Sequence, residues 1–328
     1  MQIYLLLTDN CNLNCKMCIR GRQSGTNIDV TDLKKMSGIN DLTNHDIVVT
    51  GGEPTLHKDF KEIVALLLEK TRTVTITTNG TINEYLTDDF LHDNLFFQVS
   101  IDGDIERHNS IRGQGNYEKS LITIKKLDEM GAKYSVASVV SYKNKESMFI
   151  LEKELRKLKN IRYWRISYEM PFGDAESDDF MSAEEWNVFV DKIIGEARLK
   201  LKIQKIFPFE VYERRWDELD LIYSKKQRCN NCGSGSEKIY IYPDWTVYSC
   251  TCLTDFSLGN LKEKTIEEIL LSNEIKRFSE YEVQNPICLQ CRYLKYCNGG
   301  CIGMSYHYYG KLGMGDKRCP IIKEKERS

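Results

Sequence analysis

Residues 2–18 read Gln2-Ile-Tyr-Leu-Leu-Leu-Thr8-Asp-Asn-Cys11-Asn-Leu-Asn-Cys15-Lys-Met-Cys18. The run Gln2–Leu7 is too short for a helix and almost continuously apolar, as a strand covered on both faces is. It stops at polar Thr8-Asp9-Asn10 and opens into three cysteines spaced CxxxCxxC. The same strand grammar recurs at Asp46–Thr50, Thr73–Thr78, Leu95–Ile101, Lys133–Val140 and Ile161–Ser167, all rich in Val, Ile, Thr and aromatics.

Between these strands lie helical periods. Phe60, Ile63, Val64, Leu67 and Leu68 recur at helical spacing, as do Leu121, Ile124 and Leu127, and Leu151, Leu155 and Leu158. The clearest stripe, Trp186, Phe189, Val190, Ile193, Ile194 and Ala197, follows the sixth strand. Six strand–helix repeats predict a parallel α/β fold, either an open sheet or a partial barrel. In both, sites gather at the C-terminal strand ends, which is where the first cysteines fall.

The pattern changes after about residue 204. Residues 205–228 are charged and aromatic without a clean period and read as a connector. From Cys229 to Cys319, glycine, cysteine and tyrosine dominate. Tyr240–Tyr242 and Thr246–Ser249 flank Pro243-Asp244-Trp245 and read as a hairpin, and Thr265-Ile-Glu-Glu268 is a capping box that opens a short helix. Residues 320–328 read as a frayed charged tail.

Composition excludes several classes. The 328 residues carry a net charge of −2, which gives no electrostatic reason for a nucleic-acid or anionic-membrane partner. No apolar run approaches membrane-spanning length, and no signal peptide precedes Gln2, so a cytoplasmic protein is expected. Twelve cysteines are too dilute for a disulfide-stapled miniprotein. Three lie within residues 11–18 and nine within 229–319, which points to two metal-binding regions.

Three thiolates on one loop can converge on one metal centre. Zinc sites ordinarily take a fourth protein ligand, whereas a cubane held by three cysteines leaves one iron open to an outside ligand. Here the chain resembles the radical S-adenosylmethionine (radical SAM) superfamily, whose CxxxCxΦC motif follows the first strand. Met17 stands where the family usually has an aromatic. The resemblance implies a [4Fe–4S] cluster on Cys11, Cys15 and Cys18, SAM on its unique iron, and a 5′-deoxyadenosyl radical that abstracts a substrate hydrogen. Thr50-Gly51-Gly52-Glu53-Pro54 resembles the segment that holds the SAM amino group, and Asn79 ends strand three in the corresponding way. Ser100-Ile-Asp102-Gly103 resembles the segment that contacts the ribose and carboxylate. His108-Asn109-Ser-Ile-Arg112-Gly113 resembles the segment that follows, with Asn109 in place of the usual Asp. Arg112 would pair a carboxylate or lie solvated, and Arg165 on strand six is a second candidate for the pairing.

Cys288-x2-Cys291-x5-Cys297-x3-Cys301, followed by Cys319, resembles the SPASM domain, and Cys232, Pro243-Asp244-Trp245 and Cys250 resemble its upstream part. Trp245 replaces that turn's glycine. The implied architecture is a partial (β/α)6 TIM-like barrel followed by a small cysteine-rich iron–sulfur domain. The resemblance implies two auxiliary [4Fe–4S] clusters, one on Cys229, Cys232, Cys250 and Cys301 and one on Cys288, Cys291, Cys297 and Cys319. Cys252 is left over. It is either a spectator thiol or the donor of a hydrogen atom to a substrate radical, as in epimerases of the superfamily.

Relatives of this kind mostly modify peptides and proteins, so the expected substrate is a ribosomally made peptide, epimerised or crosslinked. An external one-electron reductant is required. The cysteine motif begins within about ten residues of Met1, so leader recognition is expected from a separate protein or from the barrel itself. The alternatives are a small-molecule radical SAM epimerase or dehydrogenase and, in another class, a non-enzymatic iron–sulfur or zinc module.

Overall fold

A computed structural model describes residues 1–21, 25–175, 180–219 and 232–327. Cys229, assigned above to an auxiliary cluster, lies outside the described residues. The parallel strands β1 (Gln2–Leu6), β2 (Asp46–Thr50), β3 (Thr73–Thr78), β4 (Leu95–Ser100), β5 (Tyr134–Val140), β6 (Ile161–Tyr168) and β7 (Leu201–Lys202) lie side by side in chain order. Order without reversal, joined by right-handed crossovers, puts every intervening helix on one face. The sheet therefore curls as a partial barrel, and no doubly wound open sheet forms.

The helices are α1 (Val30–Ile39), α2 (Phe60–Lys70), α3 (Ile105–Arg112), α4 (Asn116–Glu129), α5 (Ser147–Leu155) and α6 (Ala183–Glu196). The stripes of α2, α4, α5 and α6 bury Ile63, Ile124, Leu151 and Trp186 against Val49, Ile76, Val99 and Trp164. Ile194, counted in the last stripe, is exposed, because the stripe is narrower than its sequence suggests. The other face of the sheet is only half-buried, and carries Tyr4, Thr77, Gln98 and Ser100.

The cysteine-rich segment continues the same sheet. β8 (Lys238–Ile241) pairs in parallel with β1, and β9 (Thr246–Tyr248) and β10 (Ser257–Asn260) follow antiparallel, which makes ten strands. Tyr4 stacks on Tyr240 across the β1–β8 junction at 4.5 Å. Within the connector, α7 (Phe209–Arg214) follows Phe207, and Phe209 stacks on Tyr293 at 4.3 Å. Residues 320–327, expected to fray, form the helix Pro320–Arg327, because Ile322 is buried beneath it. The expected capping box is present, with Thr265 and Glu268 exchanging side-chain and backbone bonds.

Trp245 takes the glycine conformation of the hairpin turn, with φ 71°, and its side chain is only 2 % exposed. A left-handed residue with a Cβ costs about 1–2 kcal/mol, and burial of the indole offsets it. Trp245→Gly should relieve that strain yet lower stability by about 2 kcal/mol or more, since emptying a buried Trp site costs about 3–5 kcal/mol. The thermal midpoint of the variant checks this, and a rise would show that the turn outweighs the packing.

Candidate active site

The ends of β1, β2, β3 and β4 meet at one edge of the lumen. Backbone packs directly on backbone there. Gly51 has φ 148°, and a Cβ on it would stand 2.4 Å from the Thr8 carbonyl oxygen; one on Gly52 would stand 2.2 Å from that of Asn10. The Gly52 and Glu53 N–H groups donate to the Thr8 and Asn10 carbonyls at 2.7 and 2.8 Å. Only glycine lets the cysteine loop lie this close to the end of β2.

Glu53 is 1 % exposed, and burial pushes its carboxyl above the usual range. Its Oε1 accepts from the Thr55 and Thr78 hydroxyls, both at 2.7 Å, and from Thr55 N–H at 3.3 Å, while Oε2 accepts from Asn79 N–H at 2.7 Å. The side chain of Asn79 donates to Asn12 Oδ1 at 2.9 Å, and Asn12 in turn donates to Thr81 Oγ1 at 2.8 Å. Glu53 thus ties β2 to β3, and Asn79 ties β3 to the cysteine loop. The loop side of this net, Asn12, was not singled out from the sequence, since asparagine between cysteines reads as turn chemistry.

Asp102 is fully buried. Its Oδ1 accepts from Val139 N–H at 2.7 Å and its Oδ2 from Arg112 Nε at 2.5 Å. Arg112 is no solvated arginine: it pairs with Asp102 and turns Nη1 toward Cys15 Sγ at 4.0 Å. Asp102, expected against a ribose, faces inward and braces Arg112. His108 is also fully buried, accepts Asp102 N–H on Nδ1 at 3.1 Å, and is held down to about 4 by burial, so its ring is neutral. Ser100 is half-buried at the end of β4. Register aligns it with Ala137 and Ala137 with Arg165, so exposed Arg165 lies on the same lumen face two strands away.

Cys11 is exposed, and Cys15 and Cys18 are half-buried. Leu13 N–H donates to Cys11 Sγ at 3.4 Å. Burial raises the Cys15 thiol to about 11 against the pull of Arg112. A pocket opens beside this loop between Lys16, Met17, Val139, Ser141, Asn144 and Glu169. Asp9 pairs with Arg20 at 2.5 Å, and the Arg20 guanidinium lies 4.9 Å over Tyr242 of the hairpin, an anchor that sequence spacing does not reveal.

Seven of the nine later cysteines fall into two groups; Cys229 lies outside the described residues, and Cys232 is exposed. Cys288, Cys291, Cys297 and Cys319 line one pocket whose other walls are apolar, among them Phe207, Phe209 and Ile322. Four thiols with no charged neighbour in the wall suit a [4Fe–4S] cubane by donor number and softness. Cys250, Cys252 and Cys301 make the other group. The Cys252 thiol donates to the Cys250 sulfur, which draws the Cys250 thiol down to about 6 and pushes Cys252 up. Cys252 N–H also points at Cys250 Sγ, at 3.4 Å, the same i+2 arrangement as at Cys11. A Cβ on Gly303 would stand 3.2 Å from Cys252 Cβ, 3.4 Å from Phe172 and 3.7 Å from Cys301 Sγ, so its absence lets the three converge. Cys252, counted as spare, therefore lies within the thiol group itself. Among the described residues no three His, Cys, Asp or Glu side chains close around a single ion, and thiolates bound to different irons of a cluster stand farther apart than that.

Residues 5–167 match the Radical SAM superfamily, and residues 229–292 match the SPASM iron–sulfur cluster-binding domain. This chain belongs to the radical SAM superfamily. SAM and [4Fe–4S] clusters are therefore its cofactors. It is 25% identical to the Fe-coproporphyrin III synthase of Methanosarcina barkeri over 97% of this chain and 87% of that protein. It is 26% identical to AlbA, the antilisterial bacteriocin subtilosin biosynthesis protein of Bacillus subtilis, over 90% of this chain and 65% of AlbA. Streptococcus suis SuiB bound to SAM shares the fold, with a TM-score of 0.77 at 18% identity, over 97% of this chain and 77% of SuiB. SuiB is also solved with its precursor peptide SuiA. Among the described residues, no helix of this radical SAM protein is long and apolar enough to cross a membrane.

Glu53→Gln tests the net at the cysteine loop. Whichever way the amide turns, its NH2 faces one backbone N–H, of Asn79 or of Thr55, that loses its acceptor. The variant should lose about 1–3 kcal/mol. A thermal midpoint equal to wild type would show that the carboxylate is not holding the two strand ends.

Proposed function

We propose that the chain is a radical SAM maturase that abstracts a hydrogen atom from a residue of a ribosomally made peptide, ending in epimerisation or a crosslink. The observation that carries this reading is the placement of the CxxxCxxC loop on Gly51-Gly52, at the strand ends that border the half-buried face of the sheet. Relatedness to AlbA and the shared fold with peptide-bound SuiB support the peptide as substrate. The radical SAM barrel would span residues 1–204, the connector 205–228 and the SPASM domain 229–319. We place the enzyme in the cytoplasm with an external one-electron reductant and, for leader binding, a separate recognition protein.

In this reading Cys11, Cys15 and Cys18 hold the first cluster. Bound there, cluster and SAM together supply reductive cleavage to methionine and a 5′-deoxyadenosyl radical. The chain's own residues position and shield that chemistry. The carbonyls of Gly51 and Gly52 and the side chains of Asn79 and Ser100 border the SAM seat. Asp102 acts from behind, by fixing Arg112 beside Cys15. Arg165 offers a cation from the far side of the lumen to a carboxylate of SAM or substrate. Cys288, Cys291, Cys297 and Cys319 hold one auxiliary cluster, and Cys229, Cys232, Cys250 and Cys301 the other.

Relatedness to Fe-coproporphyrin III synthase supports a second reading, a small-molecule substrate in the same lumen. Anaerobic reconstitution with SAM and dithionite separates the possibilities. 5′-Deoxyadenosine should form, and a genomically neighbouring precursor peptide should either keep its mass in H2O and gain one mass unit per modified residue in D2O, or lose two mass units. No 5′-deoxyadenosine with any substrate would refute the enzyme reading, and turnover of a small molecule alone would refute the peptide.

Cys252 is the candidate hydrogen-atom donor. Cys252→Ser should abolish deuterium incorporation while 5′-deoxyadenosine still forms. Full product turnover by the variant would leave Cys252 as a spectator, and loss of four irons per chain would make it a ligand.

A further inference from the structure

Asp316 and Arg318 form a buried ion pair that none of the chemistry above uses. Asp316 is fully buried, and the Arg318 side chain is 12 % exposed. Asp316 accepts Arg318 Nη2 at 2.7 Å and Nε at 3.0 Å, and its Oδ2 accepts Cys301 N–H at 3.2 Å. Its own carbonyl accepts Cys319 N–H at 2.9 Å. Asp316 thus bonds directly to one cysteine from each auxiliary group. Arg318 extends away from it toward the barrel, with its guanidinium 5.0 Å over the Tyr168 ring and Nη1 3.4 Å from Met170 Sδ, both at the end of β6.

A buried ion pair is seldom worth more to stability than well-packed apolar side chains of the same volume. Its field is another matter, since charges in a low-dielectric interior act strongly on their neighbours. Met170, which Arg318 reaches, accepts Phe172 N–H on its carbonyl at 2.8 Å, and Phe172 faces Gly303 beside Cys301.

We propose that the Asp316–Arg318 pair biases the reduction potentials of the two auxiliary clusters, with Arg318 raising that of the cluster on Cys250 and Cys301 relative to that on Cys288, Cys291, Cys297 and Cys319. The physical basis is charge: an electron added to a cluster is favoured by a nearby cation and opposed by a nearby carboxylate. Asp316 touches both groups, whereas Arg318 leans to the barrel side, so the dipole of the pair is unequal at the two clusters. The cluster so favoured is the one beside Phe172 and Cys252. Arg318 and Asp316 act through the clusters as positioning residues and touch no substrate.

The inference rests on the cluster assignment proposed above, and the test separates the two. The full chain is reconstituted anaerobically, its iron and sulfide are counted, and each cluster is titrated by EPR at controlled potential. A Cys288→Ala, Cys319→Ala double variant identifies which auxiliary signal is which. Arg318→Met with a full complement of iron should lower the reduced-to-oxidised ratio of the Cys250–Cys301 cluster about tenfold at a fixed poise, equivalent to about 59 mV for one electron. Arg318→Lys should restore most of it, and the signal of the Cys11–Cys15–Cys18 cluster should stay in place. Full iron without that shift, or a shift that Lys does not restore, overturns the inference alone. If Arg318→Met loses iron, Asp316→Asn carries the test, since removing the carboxylate must raise both auxiliary potentials, and unmoved potentials overturn it. A wild-type chain that assembles only the first cluster overturns the assignment beneath it as well.

Discussion

The contact on which the open end of the barrel depends is backbone against backbone, where Gly51 and Gly52 lie on Thr8 and Asn10 with no room for a Cβ. Two short N–H···O bonds fix the register of that contact, and the buried Glu53 carboxylate fixes the segment from behind by accepting from Thr55, Thr78 and Asn79. A loop of three cysteines has little structure of its own. Here it inherits rigidity from two strand ends, so the thiols are pre-arranged before any metal arrives, which lowers the ordering cost of binding.

Charge at the site is arranged by the same logic. Arg112 is held by a fully buried aspartate that is itself fixed by a backbone N–H and by the strand it ends. That leaves the guanidinium one stable orientation, toward Cys15. Around the later cysteines the surroundings differ. One group lines an apolar chamber and meets the ion pair only through the Asp316 backbone carbonyl, whereas the other bonds to its carboxylate and to a neighbouring thiol. Clusters of one type in unequal surroundings acquire unequal chemistry.

Most of the barrel was legible because parallel strands buried on both faces announce themselves as apolar runs, and their C-terminal ends are marked by Gly-Gly-Glu-Pro, Asn-Gly and Asp-Gly. The cysteines were legible by spacing. Three things were not. The helix Pro320–Arg327 looked like a charged tail, because one buried Ile322 in a run of Lys and Glu carries no periodic signal. The inward roles of Glu53 and Asp102 depend on which donors surround each carboxylate, and those donors come from residues 2 to 37 positions away in sequence. Trp245 at a glycine position reads as a defect until the packing of its indole is known.

The pairing of β8 with β1 reaches beyond architecture. β1 sits between β2 and β8, so it becomes interior only when residues 238–241 arrive. A chain cut before the hairpin would present β1 as a bare, apolar edge, the kind of surface that recruits other chains. During synthesis the same edge stays open until residues 238–241 have emerged. The iron–sulfur segment is thus a late closing piece of the barrel, and its loss would be felt first as aggregation and only secondarily as missing clusters.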